Sequence, residues 1–354
     1  MSTFQPHHSA THAIESLSNL LPRAAPSATD NILETRIREA LHWLKVSAKF
    51  AAPPNGQFLE RVDLVTEGVD FPRLPFNAIC VEYDYVLNPQ FFPVEGVELA
   101  AKEHQPDRAC VLAFYPDPSL PTGKLALRDY GPMDDGEFLV WPICGFNAGR
   151  TLHGQVLREA QWIPGLDPVV VTTRRQSQWS MEMRASDADK RILLHALPTS
   201  ETLYPRVESK LSRGLAAQSQ EELVSEIIVD TGWEAMCVVE LCNVLECTNV
   251  TTKLFDAPEK LNKKRLSNGR VPFFSYHVLN LVEPSAAKSP PGTGTHASPR
   301  QHYRRGHIRR LSPGRKTWVR PAMIGDAARG VVAKDYDVQQ RSIVALPVPS
   351  REKV

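Results

Sequence analysis

The chain has 354 residues, 42% hydrophobic and 23% charged, with 29 Pro against 19 Gly and a formal net charge of +1. This is an ordinary globular composition, long enough for one large domain or two, and its proline excess predicts many extended connections and few long helices. The start lacks a basic cluster followed by an apolar core, and no apolar run approaches bilayer length, so a cytoplasmic protein with no membrane partner is expected.

Residues 1–28, rich in Ser, Ala, Pro and His without a period, read as a mobile tail, and its histidines His7, His8 and His12 are not preorganised for metal. From Asp30 the apolar residues Leu33, Ile37, Leu41, Leu44 and Ala48 recur at helical spacing, predicting an amphipathic helix that ends before Pro53 and Pro54. Short β-rich runs follow at Phe76–Val86, Ala109–Tyr115, Glu137–Gly145 and Pro168–Thr173, separated by Pro, Gly and Asp. In the first run Glu82 and Asp84 share one face of the strand and Val81, Tyr83 and Tyr85 the other, which predicts a solvated carboxylate face on a half-buried strand.

Helical character returns at Asp187–Leu197, Gln218–Val229 and Trp233–Cys247. The six cysteines, Cys80, Cys110, Cys144, Cys237, Cys242 and Cys247, lie among apolar residues, as reduced buried thiols do. Cys80, Cys110 and Cys144 are expected to face a shared core, whereas the five-residue steps of the last three rotate them off any common helix face. Thr251–Asp256 reads as a strand or extended linker, and Pro272–Val282 as an aromatic strand. The Pro-, Ser- and Gly-rich stretch 283–299 reads as a projecting loop, and His307–Leu311, Lys316–Ile324 and Val331–Val338 as a β meander.

Charge is distributed unevenly along this order. Lys260 to Arg320 holds fourteen Lys/Arg and one acid, Glu283, a net of +13, which leaves −12 on the rest of the chain. The expected organisation is α+β: a disordered tail at 1–28, an acidic mixed body at 29–255, a basic β-rich module at 256–345 built as a meander or small barrel, and a tail at 346–354. An acidic body carrying a basic module points to an anionic partner, most often nucleic acid. The competing reading is that the basic block neutralises the protein's own acidic body.

The candidate phosphate contacts are Lys263, Lys264, Arg265, Arg300, Arg304, Arg305, Arg309, Arg310 and Lys316, because guanidinium forks and ammonium groups hold phosphate oxygens by charge-assisted hydrogen bonds. Gly306 beside His307 lets backbone approach a phosphate, and Tyr303 and Trp318 are candidates for stacking on bases. Such a surface suits RNA or single strands slightly better than duplex DNA. His302 and His307, with His277 as a third candidate, carry the alternative of a metal-independent endoribonuclease, in which paired imidazoles act as acid and base on a 2′-OH. The chain lacks GxGxxG, Walker A, GxSxG and paired CxxC motifs, so no cofactor or metal is expected and binding is favoured over catalysis.

The residues Arg304, Arg305, Gly306, His307, Arg309, Gly314, Trp318, Val319, Gly325, Lys334, Asp335 and Tyr336 form the pattern RRGHxR…G…WV…G…KDY. In this pattern, about 90 residues of the chain resemble an uncharacterised family of tailed-bacteriophage and prophage proteins. The resemblance implies a mobile-element origin, hence a bacterial host cytoplasm, and assigns no catalytic residue. It also leaves room for a third reading, a factor that acts on a host protein.

Overall fold

The computed structural model describes residues 6–21, 30–59, 73–86, 106–116, 136–152, 155–165, 168–172, 180–182, 220–282, 300–304, 307–319, 322–324 and 326–331. The first two helices are α1 (Ser9–Leu20) and α2 (Asp30–Val46), followed by strand β1 (Ala48–Ala51). The periodic pattern of α2 is as expected. Its C-terminal end comes sooner, since Lys49 and Phe50, read as the helix's continuation, belong to β1.

Strands β2 (Ala78–Asp84), β3 (Arg108–Phe114) and β4 (Phe138–Phe146) pair antiparallel in succession, close to the runs legible in the sequence. A two-residue pair, β5 (Thr151–Leu152) and β6 (Gln155–Val156), precedes β7 (Gln161–Pro164), β8 (Val169–Thr172) and β9 (Ser180–Glu182). A single helix, α3 (Gln220–Leu245), replaces the two helices expected on either side of Gly232. An interior Gly costs about 1 kcal/mol, less than the burial gained by keeping the next turns, where Cys237 to Val244 are all buried.

Next come β10 (Val250–Phe255), α4 (Glu259–Ser267) and β11 (Tyr276–Leu281). Among the described residues the main sheet has nine strands in the order β10-β11-β1-β2-β3-β4-β8-β9, with β7 also paired to β4. Strand β1 is parallel to both β11 and β2, and the remaining pairs are antiparallel. Helices and a mixed sheet make this an α+β fold. The sheet crosses the boundary expected at 255/256, because β11, assigned to the basic module, is an internal strand of the body's sheet.

Helices cover both faces. The α1 and α2 residues Ala13, Ile14, Leu17, Ile37 and Leu44 pack with Cys80, Leu112 and Trp141, while α3 residues Val238, Leu241 and Val244 pack with Val81, Val111 and Val140 on the other face. All nine residues of β4 are therefore buried. Cys80 and Cys110 share the first of these clusters, and all six cysteines are buried free thiols.

Residues 9–20, expected within a mobile tail, form α1, with Ala10, Ala13 and Leu17 at 0% exposure. The remainder of that expected tail at 1–5 and 22–28, the helix expected at 187–197, the loop at 283–299 and the tail at 346–354 lie outside the described residues.

The C-terminal strands are β12 (Arg300–Arg304), β13 (His307–Ser312), β14 (Arg315–Val319), β15 (Ala322–Ile324) and β16 (Asp326–Val331). Strands β13 and β14 pair as successive strands of a meander would, and residues 332–338 of the third strand expected there lie outside the described residues. Strand β12 instead lies between β15, antiparallel, and β16, parallel. Among the described residues no helix is long and apolar enough to cross a membrane.

Candidate nucleic-acid interface

Helix α4 carries the first basic cluster. Lys260, Lys263 and Lys264 are exposed. Arg265, one position on, turns inward and is 8% exposed. Its Nη2 donates to Glu15 Oε1 of α1 at 2.7 Å, its Nε donates to the Val271 carbonyl at 2.6 Å, and its guanidinium lies 4.1 Å from the Phe273 ring centre. Arg270 joins the same acid through Nη2 and Glu15 Oε2 at 3.1 Å.

The second cluster is the β13–β14 hairpin, closed at Ser312-Pro313-Gly314 with Gly314 at φ 72°. Ile308 pairs with Trp318, and both pack against the α3-side core. Arg310 pairs with Lys316, two residues along the same face, and Lys316 is only 4% exposed. The Lys316 ammonium donates to Glu246 Oε2 at 2.7 Å and Asn243 Oδ1 at 3.3 Å. The Trp318 backbone N–H donates to Asn249 Oδ1 at 2.8 Å, and Asn249 Nδ2 donates back to the Trp318 carbonyl at 2.9 Å. Arg309, Arg310 and Arg315 are exposed.

Two expected roles are thereby altered. Arg265 and Lys316 are themselves buried and ion-paired to Glu15 and Glu246 rather than set on a phosphate-facing surface, and the half-buried Trp318 lies against the apolar core rather than open to a base. Each occupies the inward face of an otherwise exposed element. The backbones of Arg300, His302, Tyr303 and Arg304 are placed in β12. Their side chains, with Arg305 and Gly306, lie outside the described residues. Arg265, Arg270 and Lys316 hold parts of the basic block to Glu15 and Glu246 of the body, so the block does neutralise some of its own protein.

Between the two clusters runs β10, at the margin of the sheet, with Thr251, Thr252, Lys253 and Leu254 all exposed. Helix α4 follows its Phe255 end, and the hairpin is bonded to the Thr248–Asn249 turn at its Val250 end. Five strand steps separate those ends, about 17 Å, over which one strand of a duplex presents about five phosphates.

Of the candidate catalytic histidines, the side chain of His302 lies outside the described residues. The His277 ring, on β11, stacks on Phe50 at 5.0 Å, and burial lowers its pKa. His307 opens the hairpin.

A buried polar constellation was not legible in the sequence. Lys49 of β1 is register partner to Cys80 and to Tyr276, and Glu82 is partner to Cys110. Alternation therefore sets all five on the face toward α1 and α2. Glu82, expected on a solvated face, is 1% exposed because α1 covers it. Its Oε2 accepts from the Ser9 N–H at 2.8 Å and its Oε1 from the Ala10 N–H at 3.0 Å. The Tyr276 hydroxyl donates to both oxygens, at 2.9 and 3.0 Å.

Glu82 thus caps α1 from another element, since His8 at the N-cap makes no side-chain cap bond. Burial raises the carboxyl's pKa, partly offset by these hydrogen bonds and by Lys49. Burial likewise lowers the pKa of Lys49, whose ammonium lies 4.2 Å from the Phe274 ring centre and donates to the Ser47 hydroxyl at 3.1 Å.

Ligand atoms of Cys80, Glu82 and Cys110 lie within 4.8 Å of one another, a donor set suited to a thiophilic divalent cation. Lys49 already supplies positive charge there, and the N–H groups of α1 already occupy both carboxylate oxygens, so the arrangement is complete as a structural cap. Asp84, at the strand end, instead meets His7 at 3.2 Å and Arg108 at 3.5 Å.

Compared with protein-family models, curated proteins and solved structures, the chain matches none.

Proposed function

We propose that this chain binds nucleic acid along the margin of its sheet, with α4 and the β13–β14 hairpin holding phosphates at the two ends of β10. The observation that carries the reading is the placement of exposed Lys260, Lys263 and Lys264 at one end and exposed Arg309, Arg310 and Arg315 at the other, with exposed Lys253 between them. Cations spaced along an edge strand match a polyanion better than a single small anion. Lysine on an edge strand also blocks pairing with other sheets, so Lys253 has a structural use as well.

A salt titration tests the proposal. Binding measured by fluorescence anisotropy should weaken linearly in log–log form as salt rises. Replacing Arg309 and Arg315 together by Ala should reduce the slope by about 1.4 to 1.8, the loss of two phosphate contacts. An affinity that does not change with salt sinks the proposal. The alternative of metal-independent RNA cleavage by His302 and His307 needs two imidazoles converging on one 2′-OH, and cleavage of RNA in chelator that is lost in His307→Ala would favour it over binding alone.

A further inference from the structure

The face of the sheet toward α3 ends, at its β10 side, in a ring-lined patch. The rings of Phe50 on β1 and His277 on β11 stack at 5.0 Å with planes 23° apart. Phe76, just before β2, stands 5.2 Å from His277 and 6.1 Å from Phe50 and is 44% exposed. Leu254 of β10, the register partner of His277, is 50% exposed. Phe50, at 1% exposure, is the floor beneath them. Burial lowers the His277 pKa, so at neutral pH the ring presents an uncharged π face.

In order along β10, the patch falls beside Leu254, between the Phe255 end from which α4 follows and the Val250 end that meets the hairpin. Leu254 and His277 share the α3 face, and Lys253 is on the other side of the edge. Leu254 is the residue before the Phe255 end of β10, from which α4 follows. The hairpin lies four strand steps the other way, about 13 Å along β10. Within the intervening strand Thr251, Thr252 and Lys253 are exposed and none is acidic. A chain of phosphates laid along β10 would carry its attached bases past Phe76 and His277.

We propose that Phe76 and His277 form a base-stacking platform for a single-stranded nucleic acid whose backbone runs along β10 between α4 and the hairpin. This rests on the nucleic-acid reading above and narrows it. A duplex keeps its base faces stacked on one another and offers none to a protein ring, whereas an unpaired strand offers every base, whatever its sequence. Stacking therefore assigns strandedness to this patch and leaves affinity for phosphate to the arginines and lysines. It also moves the aromatic role from Trp318, which packs inward, to His277 and to Phe76, the latter more than 200 residues away in the chain.

The test uses the full chain, a labelled single-stranded RNA of about 12 nucleotides and a duplex of the same sequence. Phe76→Ala should weaken single-strand binding by about 5- to 150-fold, the loss of one stacked base, while leaving the salt slope and the duplex affinity unchanged. Arg309→Ala with Arg315→Ala should weaken both. If Phe76→Ala lowers the unfolding midpoint, Phe76→Leu keeps the apolar contact with Phe50 without a π face, and it too must lose single-strand affinity. Single-strand binding as tight as wild type in Phe76→Leu, with the arginine dependence intact, overturns the platform and leaves the nucleic-acid reading standing. Failure of the wild-type chain to bind either ligand overturns both.

Discussion

Removing the Glu82 carboxylate tests whether α1 is held by a cap from β2. In Glu82→Ala, three buried donors lose their acceptors at once: the Ser9 and Ala10 N–H groups and the Tyr276 hydroxyl. A buried donor without a partner costs about 1–3 kcal/mol, so the sum is about 3–9 kcal/mol. Two effects reduce it: the carboxylate's own desolvation disappears, and the first turn of α1 can shift to admit water. The expected loss is therefore about 3–5 kcal/mol, read as a fall in the urea midpoint with unchanged slope. Hydrogen exchange over residues 9–20 should accelerate with it, because the helix loses its only cap bonds among the described residues.

Glu82→Gln should cost less, since an amide resembles the protonated carboxyl in shape and can still accept one N–H. The pH dependence separates the two variants further. Burial raises the folded carboxyl above its ordinary value of 4.5, so the folded protein holds this proton more tightly than the unfolded chain. That contribution to stability is complete below 4.5 and is lost as pH rises through the folded value. The advantage of wild type over Glu82→Gln should therefore shrink with rising pH. A Glu82→Ala protein within about 0.5 kcal/mol of wild type, with α1 exchange unchanged, would refute the capping argument.

Other outcomes follow from the same geometry. His8, whose pKa burial and the neighbouring His12, Arg265 and His7 bring from 6.5 to about 4, gives the opposite slope: its contribution is present above 6.5 and lost as pH falls through about 4, so His8→Phe should flatten that acid limb of the unfolding curve. Gly56→Ala places a Cβ 2.7 Å from Cys237 Sγ and 2.8 Å from Tyr83 Cε1 at φ 62°, and should cost about 2–4 kcal/mol in thermal unfolding, with Cys237→Ala restoring part of it. Glu246→Ala, which leaves the buried Lys316 ammonium without its carboxylate, should destabilise by about 1–3 kcal/mol, more than Lys316→Met, which removes charge and cost together. Neither change should alter the salt slope of nucleic-acid binding if Lys316 is a structural lysine.

Much of the secondary structure was legible because it follows local period. The alternation and β-branched content of Ala78–Asp84, Arg108–Phe114 and Val169–Thr172, and the helical spacing of Ile37, Leu41 and Leu44, state their elements without reference to anything distant. Helix α1 was missed because its cap is supplied 73 residues away, and no Ser, Thr, Asp or Asn at its N-cap announces it. The end of α2 was overrun because Lys49 and Phe50 fit a helix face as well as a strand. The candidate interface was legible only as a count of charge. Which cations face out depended on the hairpin register that sets Lys316 on the face of Trp318, against Glu246, and on the turn that sends Arg265 toward Glu15.

The sequence by itself determined an α+β chain with a basic block near its C-terminal end, because hydrophobic period and charge are properties of neighbouring residues. Only the tertiary structure decided that Glu82 is buried, that Arg265 and Lys316 point inward, and that β11 belongs to the main sheet. Each of these depends on a partner distant in the chain: Ser9 for Glu82, Glu15 for Arg265, Glu246 for Lys316 and β1 for β11. A charge's environment is set by what folds over it, and local pattern carries no record of that.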